Sequence, residues 1–364
     1  MLKLGDVCSK ASSNIKQGDL EHLNGEYPIY GASGFIKNVD FYIQDKPYIA
    51  VVKDGAGIGR VMRLPAQSSV IGTMQYIIPN EGIDISYLAY AMESMNLSKY
   101  FSGATIPHIY FRDYCKEPIP DYSLDEQCNI AATLDKVTAL IDRHKRKLKL
   151  LDELVKSRFI EMFGNYVFEK ERWKKCCVGD VAGTVDPQPS HRTPPIDVDG
   201  IPYIGIAECN YQSRKIDFES ARKVGKKVLE EHIARYELHN GDFIIGKIGT
   251  IGKPFFIPSE RFYTLSANTV LIQPNSEMIA PQFLFSIFQS EYMDRIIDAE
   301  KKSTSQPAFG IQKVRAIEIP LPPIDLQNQF AAFVEQTDKS KQSVQQSLEK
   351  LETLKKSLMQ EYFG

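Results

Sequence analysis

Residues 51–61 read VVKDGAGIGRV: an apolar pair, Lys53 and Asp54, glycines at 55, 57 and 59, then Arg60. Alternating glycines behind a short apolar run let backbone amides approach a phosphate or a cofactor, and Lys53 and Arg60 could meet an anion. Two chemistries follow from this pattern. One is a cofactor cradle; the other is a turn with cationic flanks that faces a polyanion.

The segment occurs twice, because the chain is written twice. LGDV (4–7) returns as VGDV (178–181), and YPIYG (27–31) as IPYIG (201–205). YIAVVKDG (48–55) meets DFIIGKIG (242–249), pairing Lys53 with Lys247 and Gly55 with Gly249, and IGR (58–60) falls on IGK (251–253). From residue 107 the offset settles at 200: Pro107 matches Pro307, Ile119-Pro120 matches Ile319-Pro320, and Gln127 matches Gln327. EMFG (161–164) returns as EYFG (361–364). Insertions thus fall early in each copy, where surface loops tolerate them. The last part has a fixed length.

As a cofactor loop the first segment is incomplete. It is one residue short of the D-x-G-x-G-x-G loop that holds S-adenosylmethionine in methyltransferases, and the second copy has Ile248 where Asp54 stands. No [DNS]-P-P-[YFW] tetrad occurs, TPPI and LPPI being near misses, and no G-K-[ST] follows the glycines. Histidines 22, 108, 144, 191, 232 and 239 stand in no recognisable nucleophile motif. The six cysteines show neither C-x-x-C spacing nor a nearby histidine, so reduced thiols are expected and no metal. What recurs is the lysine, two glycines and a closing basic residue. The turn suits DNA better than a nucleotide, and neither catalysis nor a cofactor is expected.

The elements that must hold these turns are legible at the end of each copy. Ile130, Leu134, Val137, Ile141, His144, Leu148, Leu151 and Val155 alternate at four and three residues, a heptad stripe. Phe330, Val334, Thr337, Lys341, Val344, Leu348, Leu351, Lys355 and Leu358 repeat it. Neither segment contains proline or glycine, so two long helices of equal length and register are predicted, packed on each other. Polar residues in such a seam specify register at some cost in stability. A helix of about 35 residues spans roughly 50 Å, the length of roughly 15 base pairs. Such a rod could hold two domains a set distance apart.

Each half before its helix reads as mixed α and β, with runs such as KPYIAVV, QYIIP, GDFIIGKI and NTVLIQP, and helices at about 84–100 and 280–298. The expected organisation is one domain at 1–124, a helix at 125–164, a second domain at 165–324 and a helix at 325–364. Candidate DNA contacts are Lys53, Arg60, Arg63, His108 and Arg112 in the first copy, and Lys247, Lys253, Lys313 and Arg315 in the second. With 44 basic against 46 acidic residues the formal charge is -2, so no global field draws the chain to nucleic acid and any binding is local. No apolar run reaches membrane-spanning length and the N-terminus lacks a signal-peptide pattern, which points to the cytoplasm.

The order of parts resembles the specificity subunit of type I restriction-modification enzymes over essentially the whole chain. IPLPPIDLQNQ (319–329) is similar to the family's I-P-L-P-P-L-x-E-Q entry into the helix, and IGTIGK (248–253) to its G-T-x-G-K segment. The first copy departs with Tyr122-Ser123 in place of the prolines, and the second with Leu326 in place of Glu. The resemblance implies an α+β chain of two tandem target recognition domains, each followed by a long helix, the helices packing as an antiparallel coiled coil. It implies a non-catalytic subunit: each domain reads one half of a bipartite double-stranded DNA target and the helix pair sets the spacing. The implied partners are two methyltransferase subunits and, for cleavage, restriction/translocase subunits. The alternatives are an S-adenosylmethionine-dependent DNA methyltransferase and a coiled-coil scaffold that binds protein only.

Overall fold

The computed structural model describes residues 1–364 apart from 103–106, 166–171, 191, 212 and 304–307. Parts of the polar loops GATIPHIYFRD and KSTSQPAFGIQKVR, with Pro307, lie outside the described residues. The two copies fold to one design. In the first, an antiparallel sheet runs in the order Cys8–Ser12, Met74–Pro79, Tyr48–Val52, Val61–Leu64. The second repeats it with Ala182–Val185, Thr269–Pro274, Phe243–Gly246 and Pro254–Phe256. A three-stranded sheet accompanies each: Gly34–Val39, Tyr27–Gly31, Ser69–Val70, and Lys223–Val224, Ile201–Ile204, Thr264–Leu265, each with one parallel pair.

The run YIAVV is apolar throughout because its strand is buried on both faces. Ile49 and Val51 enter a core with Tyr87, Leu88, Ile130 and Leu134. Tyr48, Ala50 and Val52, pointing the other way by the two-residue period of a strand, enter a second core with Ile29, Val39 and Val70. Phe243 and Ile245 part from Ile244 in the same manner. The helices expected at 84–100 and 280–298 are each broken in two. The first is Ile85–Ser94 followed by a 3-10 turn at Leu97–Tyr100, because Asn96 takes a left-handed φ of 48°. The second is Pro281–Phe288 followed by Glu291–Ser303.

The long helices are Leu124–Phe163 and Ile324–Phe363, and each contributes to both compact units of the chain. One unit comprises Met1–Lys145 with Ser347–Gly364. Within it Leu358, Met359, Tyr362 and Phe363 pack on the core that holds Ile130 and Leu134, Phe363 meets Tyr87 at 5.4 Å between ring centres, and Lys145 pairs with Glu352 at 3.0 Å. The other unit is Arg146–Gln346, where Phe159 and Phe163 pack on Phe283 and Phe330. From the Asp152–Lys341 ion pair to the Phe159–Phe330 contact, the first helix runs forward while the second runs backward, which makes the pair antiparallel.

Along the predicted seam, Ile130, Leu134, Val137, Ile141, Phe330, Val334, Val344 and Leu348 are buried, and Leu148, Leu151, Leu351 and Leu358 half-buried. The first two, with Phe330 and Val334, are also domain-core residues, so the stripe is more than a helix-to-helix seam. Two of its polar members, Thr337 and Lys341, are buried too, while Lys355 is half-buried. Thr337 donates its hydroxyl to the Phe333 carbonyl, 2.9 Å away. Lys341 reaches Asp152 at 2.6 Å, and Arg214 joins the group through Asp338 at 2.6 Å. A buried ammonium that finds its carboxylate in one register disfavours the others.

Repeated residues that carry no obvious chemistry turn out to be joints. Gln127 accepts from the Asp84 amide at 2.9 Å and donates to the Tyr122 carbonyl at 2.9 Å. Gln327 does the same with Ala280 and Pro322, at 2.9 and 2.8 Å. Asp84 and Ala280 are the N-caps of the domain helices, so one amide ties each domain helix to the start of a long helix. The departures in the entry sequences have local reasons: Ser123 and Glu126 form a reciprocal cap on the first long helix, whereas prolines precede the second. LGDV and VGDV are single helical turns, and a Cβ on Gly5 or Gly179 would crowd Cys115 or Arg315 at 3.3 and 3.2 Å.

Gln327→Leu leaves the buried Ala280 amide and Pro322 carbonyl unpaired, so a loss of about 2 kcal/mol or more is expected in urea unfolding; an unchanged midpoint would refute the joint. A second expectation concerns His232, buried against Thr264, Gln188 and Tyr236. Burial, aided by the charges of Arg261 and Arg235, pushes its imidazole down to about 4. Below about pH 6.5 the unfolded chain binds a proton that the folded site refuses, so stability falls as pH drops through that window. Denaturation at pH 7 and pH 5 should show a shallower loss for His232→Gln than for the native chain.

Candidate nucleic-acid interface

The glycine segment is a tight hairpin connection between strands Tyr48–Val52 and Val61–Leu64. Gly55, Gly57 and Gly59 have φ of 81°, 88° and 80°, and Gly249 and Gly252 have 77° and 78° in the second domain. This left-handed backbone, not a ligand, accounts for the glycines. Three of the turn's amides are spent internally: Gly55 donates to Pro107, Gly59 to Val52 and Arg60 to Gly57, at 2.9, 2.8 and 3.1 Å. In the second domain Gly252 donates to Gly246 at 3.0 Å. A phosphate cradle needs such amides free. A Cβ on Gly59 would lie 2.5 Å from the Ser98 amide nitrogen, and one on Gly252 would lie 2.0 Å from Ile297 Cδ1.

Each turn is laced to the segment that precedes a short helix, Phe111–Tyr114 in the first domain and Ile311–Arg315 in the second. The Ile109 amide donates to the Lys53 carbonyl at 2.9 Å, and the Phe309 amide to the Lys247 carbonyl at 2.8 Å. The recurrence of Lys53 and Lys247 thus reflects a shared backbone frame, and their side chains diverge. Lys53 pairs with its neighbour Asp54 at 3.1 Å and stays partly exposed. Lys247 is buried and bound to Asp186 at 3.0 Å.

The other candidate cations divide the same way. Arg63 is committed to Asp135 at 2.7 Å, to Ser86 at 2.7 Å and to the face of Tyr90. Its hydrogen bond to Asp135 raises the guanidinium; burial alone would raise the Asp135 carboxyl, but bonds from Arg63 and Tyr90 outweigh it and hold it low. Arg315 donates to the Thr184 hydroxyl and carbonyl at 2.6 and 3.0 Å. Lys313 pairs with Glu300 and reaches the Ala308 carbonyl. The structure thus places these three, with Lys247, in polar contacts within their own domains. Single basic residues carry no mark in sequence that tells a brace from a contact.

Arg60, Arg112 and Lys253 are exposed. Arg60 donates one bond, to the Ala32 carbonyl at 2.8 Å, and lies over Gly57. Arg112 lies over the Tyr110 ring at 4.6 Å, and Lys253 over Tyr211 at 5.8 Å. His108 is held by Asp54 through Nδ1, and its ring lies 4.1 Å from Tyr110. Tyr110 and Tyr211 were invisible as site residues because aromatics alone do not announce a cation partner. Among the described residues no cluster of His, Cys, Asp or Glu could hold a metal, and no helix is long and apolar enough to cross a membrane.

Two domains of one topology, each with an exposed cation-bearing turn, are each followed by a long helix. The chain belongs to the type I restriction modification DNA specificity domain family, whose model matches residues 1–153 and 170–353. It is similar to the type I restriction enzyme MjaVIII specificity subunit of Methanocaldococcus jannaschii, 24% identical over 93% of this chain and 85% of that protein. The EcoBI specificity subunit of Escherichia coli is 21% identical over 72% of this chain, which spans 61% of that relative's length. The crystal structure of the type I restriction-modification S subunit from M. genitalium shares the fold, with a TM-score of 0.66, 14% identity, and coverage of 100% of this chain and 95% of that one.

The turn geometry sets an expectation for paired substitutions. Gly55→Ala meets open space and should cost only the left-handed backbone penalty, about 1–2 kcal/mol. Gly59→Ala adds a backbone collision and should cost clearly more. Equal losses in urea titrations would show that the close approach at Ser98 is unimportant.

Proposed function

We propose that this chain is the non-catalytic DNA-reading subunit of a cytoplasmic type I restriction-modification complex. Each domain reads one half of a two-part double-stranded DNA target, and the antiparallel helices set the distance between the halves. The helix pair docks methyltransferase subunits, two by the symmetry of the repeat, and restriction/translocase subunits join for cleavage. The chain supplies no cofactor chemistry of its own.

The observation that carries this reading is the duplicated domain on an antiparallel helix pair of fixed length. Bipartite readout needs two similar reading surfaces and a rigid spacer; a scaffold for protein alone has no use for an exposed cation-bearing turn in both copies. A formal charge of -2 is compatible with DNA binding when partner subunits supply much of the phosphate contact.

The test is a methylome of the host with and without this gene, extended by a chain carrying one added heptad in both long helices. A two-part methylated motif should vanish on deletion, and the heptad variant should lengthen the spacer while both half-sites stay as they were. Loss of no two-part motif, or altered half-sites with an unaltered spacer, would sink the reading.

A further inference from the structure

We propose that Arg112 is the side chain through which the first domain reads a guanine, and that Tyr110, His108 and Asp54 form a rail that positions it. The assignment rests on the DNA-reading function proposed above. Among the cations expected to touch DNA in this domain, Arg63 is tied up by Asp135, Lys53 by Asp54, and Arg60 by the Ala32 carbonyl. Arg112 is 76% exposed, and its protein contacts are the Tyr110 ring below it and Asp113, which its Nε faces at 3.7 Å. Its two terminal nitrogens have no hydrogen-bond partner among the described residues. That edge of a guanidinium matches the O6 and N7 acceptors of guanine in the major groove.

A free arginine is a poor reader because its long side chain must be ordered on binding, at a cost in rotamer entropy. Here the order is supplied in advance. Tyr110 lies under the guanidinium at 4.6 Å, His108 lies against Tyr110 at 4.1 Å, and Asp54 holds His108 Nδ1. The rail is joined to the glycine turn by main-chain bonds, Gly55 to Pro107 and Ile109 to Lys53, each 2.9 Å. Tyr110 is also the N-cap residue of helix Phe111–Tyr114, which carries Arg112. A guanidinium held over a ring, with a braced backbone, is the preorganisation that turns an exposed charge into a directional group.

The second domain lacks this rail. At the offset of 200, residues 108, 110 and 112 correspond to Ala308, Gly310 and Gln312. Of its expected DNA contacts, the exposed cation over an aromatic is Lys253 over Tyr211, which comes from other parts of the fold. The two half-sites are therefore read by different chemistry, and the rail of His108 and Tyr110 under Arg112 belongs to the first alone.

The experiment uses the full complex with its methyltransferase subunits and duplexes carrying the target found by methylome analysis. Each base pair of each half-site is replaced in turn, and 7-deazaguanine is placed at each guanine. Arg112→Ala should weaken the cognate duplex by about 10- to 100-fold, and one G·C pair of the first half-site should cease to matter. The second half-site should be read as before. Tyr110→Leu should give a smaller loss at that same pair and Tyr110→Phe should restore it, a pattern that a purely structural role would not produce. Thermal melting of Arg112→Ala should match the native chain, since its side chain is exposed. Loss of affinity shared by all duplexes, with the salt slope lowered by about one, would mark a phosphate contact and overturn the assignment. So would no change in affinity or base preference. A native complex that prefers no two-part sequence would overturn the DNA-reading function itself, an outcome distinct from either.

Discussion

The length of the long helices is the constraint on which the rest depends, because each helix is anchored in a core at both ends. Leu134 of the first helix is part of one core, and Phe159 and Phe163 of the same helix pack on Phe283 and Phe330 in the other. The second helix, Ile324–Phe363, has Phe330 in the core near its start and Phe363 against Tyr87 at its end. One inserted residue would turn everything beyond it by about 100° and lift an aromatic anchor out of its core. The constant offset of 200 residues is the record of that geometry, and the variable offsets before it mark loops that answer to no such anchor.

Around this constraint the chain separates bracing from reading. Buried or engaged cations such as Lys247, Arg63 and Arg315 hold strands and helices of their own domain together, each with a carboxylate or a threonine in reach. Buried charge is tolerated because it is paired, and removing one partner would leave the other exposed to the full desolvation cost. The groups proposed to read DNA are left exposed, each over a tyrosine ring that does not neutralise it. Arg112 on Tyr110 and Lys253 on Tyr211 show the same device built from different elements.

Much of the architecture was legible because it rests on periodicity. The heptad stripe, the two-face burial of YIAVV and the repeat of Gln127 at Gln327 are spacing signals, and spacing survives in a linear string. The breaks at Asn96 and after Phe288 were not legible, since apolar residues continue through both and only the tertiary fit decides where a helix turns a corner. The sorting of basic residues was hidden for the same reason: the partner of Lys247 lies 61 residues away and that of Arg315 131 residues away.

By itself the amino-acid sequence determined the duplication, the two long helices and the reading of KDGAGIG as a turn, because its second copy discards Asp54 but keeps the glycines. Tertiary structure alone decided what those glycines and cations do. Left-handed φ values and internal amide bonds make the segment a hairpin, and proximity in space makes Lys247 a brace and Arg112 a free fork. Periodic burial is written along the chain, whereas a salt bridge or a stacked ring depends on which distant residues the fold brings within a few ångströms.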